Sequence, residues 1–379
     1  ARVPIAGTDY SSRPYSYDDV DGDLQLKHFA LQKEDLELKI PYIKRAQSVS
    51  PNGFRLFGSP WAPPAWMKDN HKFNESGALR GPIGGQYYDT FANYFVKFLD
   101  AYKSAGIEFW GLTVENEPIQ GMMNKKHPFN CLNISPSAEA DFVRTNLGPA
   151  LKRAGYGSDK LNLMIYDDSA AQIEDYANAT VASGAAQYVS GIAYHWYGND
   201  KLKHGFPDQV LDDMHRLYPQ WFVLNTEACH LDGLGIGSWE YGMRYAFDII
   251  RVLNHWVNGW VEWNLAVDMT GGPRWPEKQG YGHAINVDPV RGEAYKNPSF
   301  YSLGHFSKFL PKDSLRIRHR VTVSDDDSGV SVLTAKRPDN QIVLVVLNTN
   351  SEERVLNVNT SGQWLSHTIP AYGLQTYIW

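Results

Sequence analysis

Two stretches place an acid directly after an apolar run: GLTVENEP, from Gly111 to Pro118, and FVLNTEAC, from Phe222 to Cys229. Glu117 and Glu227 are the acids that stand out. A pair of carboxylates on opposite walls of a pocket is what glycoside hydrolysis requires. One is protonated and gives its proton to the leaving oxygen; the other is ionised and attacks the anomeric carbon. Other polar residues recur at the ends of similar runs: Asp9 after VPIAGT, Trp61 after LFGSP, Asn116 beside Glu117, Asp167 and Asp168 after LMIY, His195 to Tyr197 after IAY, and Glu262 to Asn264 after the last. Seven run ends carrying an acid, a histidine or a tryptophan define one chemical face.

The elements that would position these residues alternate. Phe54 to Trp61, Phe109 to Val114, Leu161 to Tyr166, Ile192 to Tyr197, Trp221 to Thr226 and Trp260 to Leu265 read as buried strands, because runs apolar on both faces mark a sheet covered on both sides. Between them, Phe91, Tyr94, Phe95, Phe98, Leu99 and Tyr102 recur at helical spacing, with Asp89 as the expected cap and Gly106 as the stop. Ser135 and Pro136 read as the cap and first position of a helix to about Lys152, Asp208 to Leu217 as a helix, and Trp239 to Val257 as a long one. Strand–helix alternation predicts a parallel sheet, either doubly wound or a TIM barrel. No glycine-rich phosphate loop follows any strand, which weakens the nucleotide-binding option. In a TIM barrel the polar strand ends share the catalytic face. After Phe309 the texture changes to short alternating segments, such as Val330 to Lys336 and Gln341 to Leu347 around Asp339-Asn340. The expected division is a catalytic α/β domain over 1–310 and part of an antiparallel β-sandwich over 311–379.

Composition sets bounds. Twelve Trp and twenty-two Tyr in 379 residues are a heavy aromatic load, suited to clefts that hold sugars as well as to cores. The net charge of −6 comes from mixed charges without a basic run, which argues against a nucleic-acid partner. No apolar run is long enough to span a bilayer. Four Asn-x-Ser/Thr triplets, at Asn74, Asn133, Asn178 and Asn359, hint at a secretory route. Two cysteines, Cys131 and Cys229, leave pairing open.

GSPWAPPAWMK, GLTVENEP, AYHWY, NTEAC, WNLA and LGHFSKFLP occur in this order and together resemble the acid β-glucosidases of glycoside hydrolase family thirty over nearly the whole chain. The resemblance implies a TIM barrel with a small β-sandwich and a retaining double displacement that uses no metal or other cofactor. It places the acid/base at Glu117 and the nucleophile at Glu227. It puts Asn116 on the sugar 2-hydroxyl, Asp9 and Trp61 on other hydroxyls, and Trp263 on an aromatic wall. Tyr197 would bond near the carboxylates, with His195 and Arg2 lining the same region. His195 is expected as a hydrogen-bonded support, Glu115 as a structural partner of a nearby cation, Cys229 as a packed thiol, and Asp167 and Asp168 as ligands of loops or of substrate. The implied substrate is glucosylceramide at a membrane surface, with a small activator protein, in a lysosomal or secreted setting.

Two departures bear on these expectations. Lys278 or Gln279 stands where the family has a sugar-proximal Asn, and the loop after Glu227 is short, so aglycone preference is open. Only seven strands of barrel character occur, counting VPIAGT, where the fold has eight. The expected missing strand, its helix and part of the sandwich are assigned to a separate N-terminal polypeptide held non-covalently. Alternatives are another family-thirty activity, on a steryl glucoside, galactoside, xyloside or β-1,6-glucan, or an inactive glycolipid- or receptor-binding relative.

Overall fold

The computed structural model describes residues 1–123, 126–198, 207–276, 280–322, 329–360 and 362–379. The anticipated Lys278 or Gln279 replacement lies outside them. The chain divides into two compact units: Ala1–Ala228 with Asn258–Trp263 and Pro273–Lys278, and Cys229–Val257 with Asn264–Gly272 and Gln279–Trp379.

The first unit is built on a parallel sheet in strictly sequential order: β1 (Arg2–Ile5), β2 (Phe57–Pro60), β3 (Gly111–Thr113), β4 (Asn162–Ser169), β5 (Gly191–His195), β6 (Phe222–Glu227) and β7 (Val257–Trp260). This is seven strands of a TIM barrel, with β1 and β7 at the edges. Helices α1 (Ile40–Val49), α2 (Gln86–Ser104), α3 (Pro118–Met123), α4 (Pro136–Phe142), α5 (Gly148–Arg153), α6 (Ile173–Ser183) and α7 (Asp208–Leu217) alternate with these strands. A π-helical turn, Glu34–Lys39, leads into α1. From it Lys39 sends its ammonium to the carbonyls of Pro4 and Ala6 at 3.0 Å, which anchors the edge strand β1. Asp35, fully buried, neutralises that ammonium at 3.2 Å and accepts from the hydroxyls of Tyr17 and Tyr102 at 2.7 Å.

Several boundaries differ from the sequence reading, for local reasons. α2 buries the expected face, but Gly85 rather than Asp89 precedes it; Asp89 instead accepts from Asn146 Nδ2 at 2.7 Å. Gly106 follows α2 in the left-handed conformation, φ +79°, as a helix stop requires. Ser135 does cap α4, accepting from the Ala138 N–H at 3.3 Å. The helix then widens into a π turn at Val143–Leu147 before α5. Pro149 sits just past that turn and has no N–H to continue an α ladder. β4 runs three residues past Tyr166, so Asp167 and Asp168 belong to the strand and not to the loop after it. The register shifts between Tyr166 and Asp168, and Tyr166 and Asp167 both take φ +77°. That is a β-bulge, with one extra residue on one strand. β7 lies earlier than Trp260 to Leu265. Val261 and Trp263 leave the strand but still donate to the carbonyls of Asn225 and Ala228 at 3.0 and 2.9 Å.

The second unit contains α8 (Trp239–Asn254), a three-stranded sheet of β8 (Val267–Asp268), β9 (Ile285–Asp288) and β10 (Glu293–Lys296), and α9 (Pro298–Ser307). Then follow β11 (Leu315–Arg316), β12 (Val330–Lys336), β13 (Ile342–Asn348), β14 (Arg354–Thr360), β15 (Gln363–Ile369) and β16 (Leu374–Ile378). The β12–β13 turn holds Asn340 at φ +68°, a conformation Asn tolerates. β11, β12, β13 and β16 form one antiparallel sheet and β14–β15 a hairpin. Leu344, Val346 and Ile369 form the core between them, with Leu356 and Val358 packed against it, a β-sandwich arrangement.

Candidate active site

All the groups that converge belong to the first unit; apart from Arg2, which opens β1, they sit in the C-terminal parts of its strands or beyond. β1 contributes Arg2, whose buried guanidinium reaches four partners. Nε donates to Ser59 Oγ at 3.0 Å, Nη2 to Asn116 Oδ1 at 2.6 Å and Asp167 Oδ2 at 2.7 Å, and Nη1 to Glu227 Oε2. Its charge also lies 4.5 Å from the Trp61 ring and 5.7 Å from that of Trp263. The two indoles stack with centroids 4.9 Å apart, and Tyr10 meets Trp263 edge-on at 5.8 Å.

His195, fully buried at the end of β5, bridges the acids. Its Nδ1 lies 3.2 Å from Glu117 Oε1, its Nε2 3.1 Å from Asp167 Oδ1 and 3.9 Å from Glu227 Oε2. Burial alone would lower its pKa, but Glu227, Asp167 and Glu117 raise it to about 10. With both nitrogens protonated, it donates to Glu117 and to Asp167 at once. Tyr197 meets the ring edge-on at 5.9 Å. Glu117 follows β3 at φ +47°, its N–H held by the Asp167 carbonyl at 3.0 Å. Burial pushes the Glu227 carboxyl up, while His195 and Arg2 pull against it.

Oxygens of Glu117 and Glu227 and a nitrogen of His195 lie within 4.8 Å of one another. A divalent cation could be drawn by that donor set. Arg2 already occupies Glu227, however, and both His195 nitrogens face carboxylates. The cluster is therefore an ion-pair network as it stands.

The structure thus brings together Arg2, Trp61, Asn116, Glu117, His195, Tyr197, Glu227 and Trp263. Asp9 joins them electrostatically. Burial pushes its carboxyl up to about 7 against the pull of Arg274, with Glu227 and Glu117 adding to the rise. Arg274 Nε holds Asp9 Oδ2 at 3.1 Å, both side chains nearly buried. Sequence reasoning missed Arg274, which sits in an irregular loop with no spacing signal. It also missed Ser59, Thr113 and Thr226, hydroxyls inside apolar strands. Alternation along those strands was the signal available.

Asp167, expected as a ligand of loops or of substrate, holds Arg2, His195, Thr113 and Thr226 through its side chain. Asp168 holds the first turn of α3 and its own strand, accepting from the N–H groups of Ile119 and Ser169 at 2.9 and 2.6 Å. Glu115 is fully buried away from the cluster, and its carboxyl accepts no hydrogen bond. Burial holds its pKa well above the usual range, with Lys68 pulling the other way. The Lys68 ammonium donates instead to the carbonyls of Glu75 and Cys131 at 2.8 Å. Lys68 thus acts on Glu115 through its charge, without a direct hydrogen bond between them. Both cysteines are buried and unpaired with each other. Among the triplets, Asn178 on α6 and Asn359 on β14 are exposed, whereas Asn74 and Asn133 are half-buried.

Seven strands of a TIM barrel with two acids facing each other across its catalytic end define a glycoside hydrolase. The particular family follows from comparison: residues 1–310 match the glycosyl hydrolase family 30 TIM-barrel domain and residues 313–377 the family 30 β-sandwich domain. The chain belongs to that family. It is 40% identical to the lysosomal acid glucosylceramidase of Mus musculus, over 100% of this chain and 73% of that protein. Among solved structures, SrfJ from Salmonella typhimurium is similar with a TM-score of 0.87 and 28% identity, over 100% of this chain and 80% of that one. The endo-β1,6-glucanase BT3312 gives a TM-score of 0.83 and 25% identity, over 100% and 81%.

Proposed function

We propose that this chain is a retaining β-glucosidase that hydrolyses glucosylceramide to glucose and ceramide. The observation that carries the reading is the proximity of Glu117 and Glu227, whose carboxylate oxygens approach within 4.8 Å. Retaining glycosidases set their carboxyl groups about 5–5.5 Å apart, whereas inverting ones leave about 6.5–9.5 Å for a water. Similarity to a glucosylceramidase supports the substrate.

In the first step a Glu227 oxygen attacks the anomeric carbon as the bond to the ceramide oxygen breaks, and Glu117 gives that oxygen its proton. Glu117, now ionised, takes a proton from water; the water oxygen attacks the anomeric carbon, and the bond to Glu227 breaks to release glucose. Arg2 keeps an oxygen of Glu227 oriented, and Trp61 and Trp263 offer a stacked aromatic wall to the sugar. Asn116 contributes its side-chain N–H groups to the 2-hydroxyl, and Asp9 with Arg274 meets other hydroxyls. The same relative supports a lysosomal setting. Among the described residues no helix is long and apolar enough to cross a membrane.

The test is Glu227→Gln on an aryl β-glucoside. Loss of a nucleophile should lower kcat by at least about 10³-fold with melting behaviour preserved. An NMR time course on the wild type should show β-glucose first; α-glucose first would overturn retention. A β-1,6-glucanase is the second reading, favoured by the shared fold of BT3312. Glucosylceramide and a β-1,6-gluco-oligosaccharide assayed side by side separate the two.

A further inference from the structure

Asp167 sits on the bulge of β4 with no exposed surface, beneath the reacting carboxylates. Four donors converge on it. Oδ1 receives His195 Nε2 at 3.1 Å and Thr226 Oγ1 at 2.5 Å; Oδ2 receives Arg2 Nη2 at 2.7 Å and Thr113 Oγ1 at 2.6 Å. Proton counting fixes the direction of the chain behind it. Ser59 Oγ accepts from Arg2 Nε at 3.0 Å and lies 2.7 Å from Thr113 Oγ1. Thr113 has one proton, which goes to the carboxylate, so Ser59 donates to Thr113. Every hydroxyl on that path points its proton toward Asp167. Two further observations agree: Asp167 spends a left-handed backbone, φ +77°, to reach this place, and its own carbonyl holds the N–H of Glu117.

We propose that Asp167 is a positioning residue of the reaction, one anion that fixes Arg2 on Glu227 and His195 on Glu117, and so sets the placement and charge balance of both reacting carboxylates from below. This rests on the glycosidase reading of Glu117 and Glu227. The cations it holds are the ones that touch those acids: Arg2 reaches Glu227 and Asn116, and His195 reaches Glu117. The titratable and charged groups facing Asp167 and His195 are Arg2 from β1, Glu115 and Glu117 from the end of β3, Glu139 from α4, Asp168 from β4 and Glu227 from β6. Burial would raise the Asp167 carboxyl, but Arg2, His195 and Thr113 outweigh it and hold it well below the usual carboxylate range. It therefore stays ionised wherever the enzyme works.

Asp167→Asn removes the charge and keeps the shape. The field at Glu117 and Glu227 becomes more positive, which favours their ionised forms. The expected result on an aryl β-glucoside is a kcat loss of about 10²-fold or more with KM within about 3-fold, and both limbs of the kcat/KM profile displaced to lower pH. Asp167→Glu restores the charge and should return the limbs to their wild-type positions, even with reduced kcat. A kcat near wild type in Asp167→Asn, or a loss with unmoved limbs, overturns the proposal; the latter would make Asp167 a structural support only. Should Asp167→Asn not fold, the wild type still decides through ¹⁵N-histidine NMR, with His195 assigned by its absence in His195→Gln. A doubly protonated ring at about pH 8 is expected, against an ordinary histidine pKa of about 6.5, and a neutral ring overturns the proposal. If the wild type cleaves no β-glycoside, the functional reading falls by itself, while the charge of His195 still tests the arrangement.

Discussion

Arg2 makes its contacts by shape as much as by charge. A guanidinium presents donors in a rigid fork, so one side chain reaches Glu227, Asn116, Asp167 and Ser59 together. An ammonium in the same place keeps the charge and loses the fork. Arg2→Lys should therefore lower kcat by about 10–100-fold, roughly 1.4–2.7 kcal/mol of transition-state stabilisation, with little change in KM. Steady-state kinetics check it; a KM rise at constant kcat would instead place Arg2 in ground-state binding. At this scale the sequence was informative about the acids. Glu117 and Glu227 announce themselves by following apolar runs, and the motifs around them carry the family. The hub beneath them was not legible. Asp167 is separated by 28 to 165 positions from its partners Thr113, Thr226, His195 and Arg2, and nothing local marks it apart from Asp168. Only the bulge, invisible in composition, turns one toward Arg2 and His195 and the other toward the first turn of α3.

The strands themselves are short and closely spaced, and small residues permit it. Gly111 opens β3, where a Cβ would stand 2.7 Å from the Asn162 carbonyl oxygen of β4. Backbone cannot yield as a flexible side chain does. Gly111→Ala is expected to force β3 from β4, destabilise the fold by about 1–3 kcal/mol, and lower activity by moving Glu117. Thermal unfolding and kinetics on the same preparation check both effects; an unchanged melting temperature would show that the ladder has slack. The parallel sheet and its alternation with helices followed from periodicity, the barrel from the family resemblance, and Asp208–Leu217 and Val330–Lys336 match residue for residue. The misplacements have one kind of cause. Asp89 was engaged by a distant Asn146, β7 began before its most apolar stretch, and α4 widened ahead of Pro149. Each reflects a tertiary partner or a ring constraint that outweighs local propensity.

Across the molecule, buried titratable groups pull in opposite directions with pH. In the first unit burial pushes Glu139 up to about 8 and Asp9 up to about 7. Such a carboxyl binds its proton more tightly folded than unfolded, so it favours the folded state as pH falls from about 8 toward the ordinary carboxylate range near 4.5. In the second unit burial pushes His230 down to about 4 and His283 down to about 3. Those rings protonate more readily unfolded, so they weaken the fold as pH falls below about 6.5. Stability is expected to peak between these limits, in mildly acid solution. Glu139→Gln keeps the acceptor for the Tyr166 N–H and removes the charge. It should raise the melting temperature by about 2–4 °C at alkaline pH and leave it unchanged near pH 5, as read by calorimetry at the two pH values; an equal shift at both would exclude proton linkage.

The bulge of β4 carries a consequence for anyone trying to make this protein sturdier. Left-handed backbone at non-glycine residues costs about 1–3 kcal/mol each, and here two adjoin, Tyr166 and Asp167. Deleting one residue would let β4 pair with β5 in an unbroken ladder, and a selection for heat resistance alone would reward it. The same edit rotates Asp167 out from under Arg2 and His195. Regular sheet and organised charge are alternatives at this spot, so stabilising libraries should hold residues 166–168 fixed and look for their gains elsewhere.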